Sequence, residues 1–241
     1  MIPLNPERLD QIKMLADQLG FPQLDPEQLN LAFCHSSYAN EVDGCANYGN
    51  ERLEFLGDAV VGFAVTEALY ERRPDLREGQ LSKIKSVVVS KRILARRAET
   101  LGLGDFLLLG KGEEQTGGRT RFSIQGNLFE SLVGAIHLSE GIEASKRFVI
   151  DQLIEEIDKA SRGESILDYK SILQEEVQKS FGVLPAYRVI SAEGPDHDKL
   201  FVVEVFVRDK RIGRGEGKSK KLAERAAASN ALNELGVQET A

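Results

Sequence analysis

Three acidic side chains set into an apolar, helix-length segment constrain this chain more than any other feature. The segment is Asn50-Glu51-Arg52-Leu53-Glu54-Phe55-Leu56-Gly57-Asp58-Ala59-Val60-Val61. Glu51, Glu54 and Asp58 follow one another at helical spacing, so on a helix they fall along one face. Leu53, Phe55, Leu56, Ala59, Val60 and Val61 cover most of the remaining circumference, and a helix apolar nearly all round is normally buried. Buried carboxylates are costly without a positive partner. Acids on one stripe also repel one another, so the pattern demands a counter-charge. Mg²⁺, which prefers oxygen ligands and keeps several waters, is the natural candidate.

An amphipathic helix with solvated acids on its outer face would show the same spacing. Two features weigh against that reading. Arg52 alone cannot neutralise the acids around it. Gly57 stands mid-helix, where glycine costs about 1 kcal/mol relative to alanine, so it calls for a packing reason such as close approach of another backbone.

A length of 241 residues fits one large or two modest domains, and 41% hydrophobic with 29% charged residues is ordinary for a soluble globular protein. The net charge of −7 argues against a nucleic-acid partner. Distribution matters more than the total, however, because a local basic patch binds phosphate on an acidic protein. Cys34 and Cys45 lack metal-ligand spacing and are too few for a disulfide framework, which points to reduced thiols and a cytoplasmic setting. Met1 to Glu7 has neither a basic start nor an apolar core, so no signal peptide is expected. Apolar runs such as Ala59 to Val65 are far too short to span a bilayer, so no membrane partner is expected.

Along the chain, Pro6 to Leu19 reads as a helix ended by Gly20, and Asp25 to Phe33 as a second, with Asp25 as N-cap and Pro26 first inside. Cys34 to Glu41 leads into a loop containing Gly44 and Gly49. The acidic helix runs from near Asn50 to about Tyr70, stopped by Arg73-Pro74. Glu78 to Ser82 opens another helix, and Ser90 is expected to cap the next, through Leu101. Gly102 to Gly118 is glycine-rich, and Thr116 to Phe122, carrying Arg119 and Arg121, reads as mobile. Ser123 to Leu138 is a core-like helix with a polar pair, Asn127 and Glu130, one turn apart. A further helix covers Ile142 to about Lys159.

The pattern then changes. Ser161 to Ser165 is short, polar and glycine-containing, the best linker in the chain. Asp168 to Phe181 reads as a helix. Tyr187 to Ser191, Phe201 to Arg208 and Lys210 to Glu216 read as strands, with turns at Gly194 to Asp198 and at Asp209-Lys210. Lys218 to Leu235 is a closing alanine-rich helix. The expected fold is therefore an all-α domain over 1–160, a linker over 161–167 and an α+β domain of order α-β-β-β-α over 168–237.

Asn50-Glu-Arg-Leu-Glu-Phe-Leu-Gly-Asp58 resembles the signature of the ribonuclease III family nearly letter for letter. Tyr169-Lys-Ser-Ile-Leu-Gln-Glu175, Gly194-Pro-Asp-His197 and Gly215-Glu-Gly-Lys-Ser-Lys-Lys-Leu-Ala-Glu224 resemble a double-stranded-RNA-binding domain. Together the resemblances cover about 15 to 237, in the arrangement of the simple bacterial enzyme. They imply a homodimeric, Mg²⁺-dependent endonuclease (Mn²⁺ substituting) that cuts both strands of an RNA duplex to 5′-phosphate and 3′-hydroxyl ends with short 3′ overhangs. Processing of ribosomal precursors, messengers and other structured RNAs is the implied role, with no small-molecule cofactor.

By the same resemblance, the metal-binding residues fall on Glu54, Asp58, Asn127 and Glu130, and the catalytic pair on Asp58 and Glu130. Glu51 and Glu78 match further acids of the catalytic valley. Phe55 matches an aromatic that inserts into the partner subunit. Many members have Asp where this chain has Asn127, which brings one fewer negative charge, and Gln125 and Gly126 replace the small apolar residues usual before it. His35 and His137 are read as structural. RNA contact is implied for Gln174, Glu175 and Gln178 on the domain's first helix, for His197, and for Lys218, Ser219, Lys220 and Lys221. The last group lies where lysine charge and a helix N-terminus both favour phosphate. The alternative is a duplex-binding regulator with weak or no cleavage, for which Asn127 is the only hint.

Overall fold

The structure is a computed structural model describing residues 4–42, 49–162, 169–195 and 199–235, without the side chains of Ser171 and Glu175. Cys45, Gly44, most of the expected linker and His197 lie outside the described residues. The chain divides into two compact units, residues 1–166 and 167–240.

The first unit is helical: α1 (Pro6–Gln18), α2 (Pro26–Ala32), α3 (Ser36–Glu41), α4 (Glu51–Arg72), α5 (Glu78–Val88), α6 (Lys91–Thr100), α7 (Lys111–Gln115) and α8 (Phe122–Ser161). The expected cap at Asp25 is present, and Asn5, which the sequence pattern does not single out, caps the first helix. Asn5 accepts the Arg8 N–H at 2.8 Å and Asp25 accepts the Glu27 N–H at 2.9 Å. Helix α8 is the centre of the unit. Leu128, Phe129, Leu132, Val133 and Ile136 are buried on it, and α2, α4, α5 and α6 pack around it.

Gly141 interrupts α8 with φ 82° and ψ −179°. The rings of Phe129 and Phe148 nonetheless stack at 5.9 Å. Nineteen residues of straight helix would separate them by roughly 28 Å, so the two halves fold back on one another at the glycine. Across that break the Ser145 hydroxyl meets His137 Nδ1 at 3.4 Å, a packing role for this histidine.

One stretch without an expected element gains a helix, and two local readings are corrected. Residues after Cys34 form α3, capped by His35, whose Nδ1 accepts the Ser37 N–H at 3.2 Å. Ser90 occupies the N-cap position of α6 but its hydroxyl donates backwards to the Val87 carbonyl at 2.8 Å, so it does not cap with its side chain. Thr116 to Phe122 is anchored by tertiary contacts. Arg119 donates to the Leu107 carbonyl at 2.9 Å and pairs with Glu114, and Arg121 pairs with Glu113 at 2.6 Å.

The second unit contains α9 (Tyr169–Phe181), β1 (Ala186–Glu193), β2 (Leu200–Val207), β3 (Lys210–Gly217) and α10 (Lys220–Glu234). The strands form an antiparallel sheet in the order β1-β2-β3, with a two-residue turn at Arg208-Asp209 and Val207 opposite Lys210. Val203, Val205 and Val207 point to the helical side. There Leu173 and Val177 of α9 meet Ala228, Ala231 and Leu232 of α10. The small side chains of α10 let it lie close against β3.

Candidate active site

The acidic helix is fixed at its start by Asn50. Its side chain donates to the Ala32 carbonyl at 3.1 Å, its N–H donates to the Cys34 carbonyl at 2.8 Å, and its carbonyl accepts from the Ser131 hydroxyl at 3.4 Å. Helix α4 then crosses α8 at near-contact of the two backbones. A methyl group on Gly57 would overlap the Glu130 carbonyl, and one on Gly134 would overlap the Leu53 carbonyl. The mid-helix glycine therefore has the packing reason its cost demanded, and the crossing brings the acidic face of α4 to Glu130.

The burial of these acids departs from expectation. Glu130 is buried, with 1% of its surface exposed, and Glu54 is partly buried, but Glu51 and Asp58 are exposed. Helix α4 is not apolar and buried all round. Phe55 is 82% exposed, Tyr70 76% and Phe63 50%, and with Ala59 they form an open apolar stripe. The apolar pattern of the helix does not say which of its faces meets a neighbour within the chain.

The counter-charge inside the chain comes from a residue the spacing did not single out. Lys91, the first residue of α6, places its Nζ 2.6 Å from Glu130 Oε2 and 3.3 Å from Glu54 Oε1. Burial raises the Glu130 carboxyl from its ordinary 4.5 to about 7. The Lys91 hydrogen bond and charge oppose that rise, while the charges of Asp58 and Glu54 add to it. Asp58 is thus close enough to act on Glu130. Asn127 lies one turn before Glu130 on α8, half-buried. Glu78 is exposed at the start of α5, where it accepts from the Ser82 hydroxyl at 2.8 Å.

Among the described residues no three His, Cys, Asp or Glu side chains converge tightly enough to hold a metal by themselves. The convergence present is of two carboxylates on one ammonium, with Asp58 near enough to act on Glu130. Carboxylate oxygens gathered on a single positive charge have the donor chemistry of a hard divalent cation.

On the second unit, Gln174 and Gln178 are exposed on α9 and one turn apart. The Glu175 side chain lies outside the described part. Ser219 caps α10, accepting the Leu222 N–H at 3.2 Å, and Lys218, Lys220 and Lys221 are exposed around that helix start.

Known proteins resemble the chain on both units. The family described as Ribonuclease-III-like matches residues 25–157, and the double-stranded RNA binding motif matches residues 169–235. Ribonuclease 3 of Leptospira interrogans is 45% identical over 231 residues, covering 96% of this chain and 93% of that protein. Ribonuclease 3 of Borreliella burgdorferi is 42% identical over 229 residues, covering 95% and 93%. The nuclease domain of ribonuclease III from Campylobacter jejuni superimposes with a TM-score of 0.56 at 36% identity, covering 60% of this chain and 97% of that one. A helical nuclease unit followed by a duplex-binding unit defines an endoribonuclease acting on double-stranded RNA. The chain belongs to the ribonuclease III family. That family is consistent with a divalent-metal requirement. No described helix is long and apolar enough to cross a membrane.

Proposed function

We propose that this endoribonuclease works as a Mg²⁺-dependent homodimer in the cytoplasm, hydrolysing both strands of structured RNA to 5′-phosphate and 3′-hydroxyl ends with short 3′ overhangs. The observation that carries the reading is the buried Glu130 carboxylate sharing the Lys91 ammonium with Glu54, with the exposed Asp58 near enough to act on Glu130. Glu54, Asp58, Glu130 and the Asn127 amide oxygen would hold the metal. A bound divalent ion supplies a water of lowered pKa and offsets charge on the phosphate. Asp58 and Glu130 orient the attacking water, and Glu51 and Glu78 keep the valley acidic around the duplex. Because water replaces the 2′-hydroxyl as nucleophile, no histidine base is required.

The open stripe of Phe55, Ala59, Phe63 and Tyr70 supports dimerisation, since an exposed apolar patch on a nuclease unit marks a partner surface. A groove of about 780 Å³ bordered by Leu69, Tyr70, Leu76 and Leu81 supplies apolar surface for an inserted aromatic. On the second unit, α9 would lie in the shallow minor groove through Gln174, Glu175 and Gln178, with His197 reaching a second groove. Lys218, Ser219, Lys220 and Lys221 would meet the phosphates between them. Ribosomal precursors, messengers and other structured RNAs are the substrates this reading implies.

A defined hairpin incubated with titrated Mg²⁺ tests the proposal. Fragments with the stated ends are expected only with metal, and Glu130→Gln is expected to abolish them while retaining duplex binding. Binding without any fragments would favour the regulator reading instead.

A further inference from the structure

Lys91 has no part in the function derived so far, yet it makes the closest polar contact in the site. Its position is built rather than accidental. A Cβ on residue 126 would come within 2.9 Å of the Lys91 carbonyl and 3.1 Å of its Cδ, so the glycine there lets the start of α6 lie against α8 one turn before Glu130. From that seat the side chain is mostly covered, 20% exposed, and its ammonium bridges Glu130 and Glu54.

We propose that Lys91 is an internal counterion that a divalent metal must displace, so that metal loading is an exchange of ammonium for metal at Glu54 and Glu130. The inference rests on the reading of those two carboxylates as metal ligands. Two physical arguments lead to it. An ionised carboxylate as buried as Glu130 is costly without a positive neighbour, and the ammonium supplies one, keeping the two carboxylates together in the metal-free protein. The same ammonium stands where both carboxylates point, and two cations cannot share those oxygens at contact distance. The flexible four-carbon stem of lysine allows the head group to swing out while Cα stays fixed. Lys91 therefore preassembles the site and lowers its metal affinity at once. Asn127 makes the effect larger, because the set has one negative charge fewer with which to attract the metal against the resident ammonium.

The test measures Mn²⁺ binding to the full chain without RNA, by titration calorimetry and by the loss of the free-ion electron paramagnetic resonance signal. Lys91→Met keeps the length of the side chain and removes its charge. It is expected to bind Mn²⁺ about tenfold more tightly than the parent and to melt at a lower temperature than the parent in chelator, with a larger Mn²⁺-induced rise. Should Lys91→Met fail to fold, Lys91→Gln carries the same expectations. Equal or weaker Mn²⁺ binding by the variant, with binding to the parent lost in Glu130→Gln, overturns the exchange and leaves the ligand reading standing. If Glu130→Gln binds Mn²⁺ as the parent does, or neither protein binds it, the ligand reading falls and the exchange falls with it.

Discussion

Glu130 combines two demands that pull its proton in opposite directions. Burial favours the neutral acid, while the proposed metal site needs the carboxylate. Its folded pKa of about 7 lies above the ordinary 4.5 expected for the unfolded chain. A raised carboxyl contributes stability that is fully present below pH 4.5 and lost as the pH rises through 7. Glu130→Gln, which cannot ionise, escapes that loss. In chelator-treated protein the stability of Glu130→Gln relative to the parent is expected to increase by about 2–3 kcal/mol between pH 5 and pH 8. Urea denaturation at the two values measures it, and a pH-independent difference would mean that burial does not govern this group. The need for a counter-charge near these acids was legible in the sequence, but its source was not. Lys91 stands 37 and 39 residues from its partners. No helical period links such separations, and only the packing of α6 on α8 closes them.

At the scale of elements, the site depends on one crossing. Helices α4 and α8 approach through Gly57 and Gly134, and the Glu130 carbonyl lies in the contact. Gly57→Ala would gain helix propensity yet place a methyl into backbone that cannot retreat as a side chain could. It is expected to cost about 1–3 kcal/mol in denaturation and to weaken Mn²⁺ binding, since the same backbone carries Glu130, a ligand in the proposed site. Unchanged stability would show that the helices can separate without loss. Gly57 was readable because its intrinsic cost is local, as were Asp25 and a break between Leu138 and Ile142, where Gly141 interrupts the helix. The exposed stripe of Phe55, Phe63 and Tyr70 was not. Periodicity distributes apolar residues around a helix but does not reveal which face a neighbour covers. The segment around Arg119 failed for a related reason, because glycine and charge read locally as freedom, whereas the guanidinium is held by carbonyls far from it in sequence.

Across the whole molecule, the proposed function assigns the charges for chemistry and those for binding to different units. A net charge of −7 is compatible with an RNA substrate because lysines gather at the start of α10 while acids gather at the α4–α8 crossing. Replacing Lys220 and Lys221 with alanine is therefore expected to weaken duplex binding and reduce the salt dependence of log K by about 2. The acids and their supporting contacts are untouched, so turnover at saturating RNA and Mg²⁺ is expected to stay within about twofold of the parent, with the loss confined to KM. Removing metal should produce the converse, with cleavage absent and binding through α10 retained. Filter binding across a salt series, paired with single-turnover cleavage, separates the two effects. If the lysine variant loses turnover as steeply as affinity, the duplex-binding unit must also shape the chemical step, and the division of charge between the units would no longer describe how the protein works.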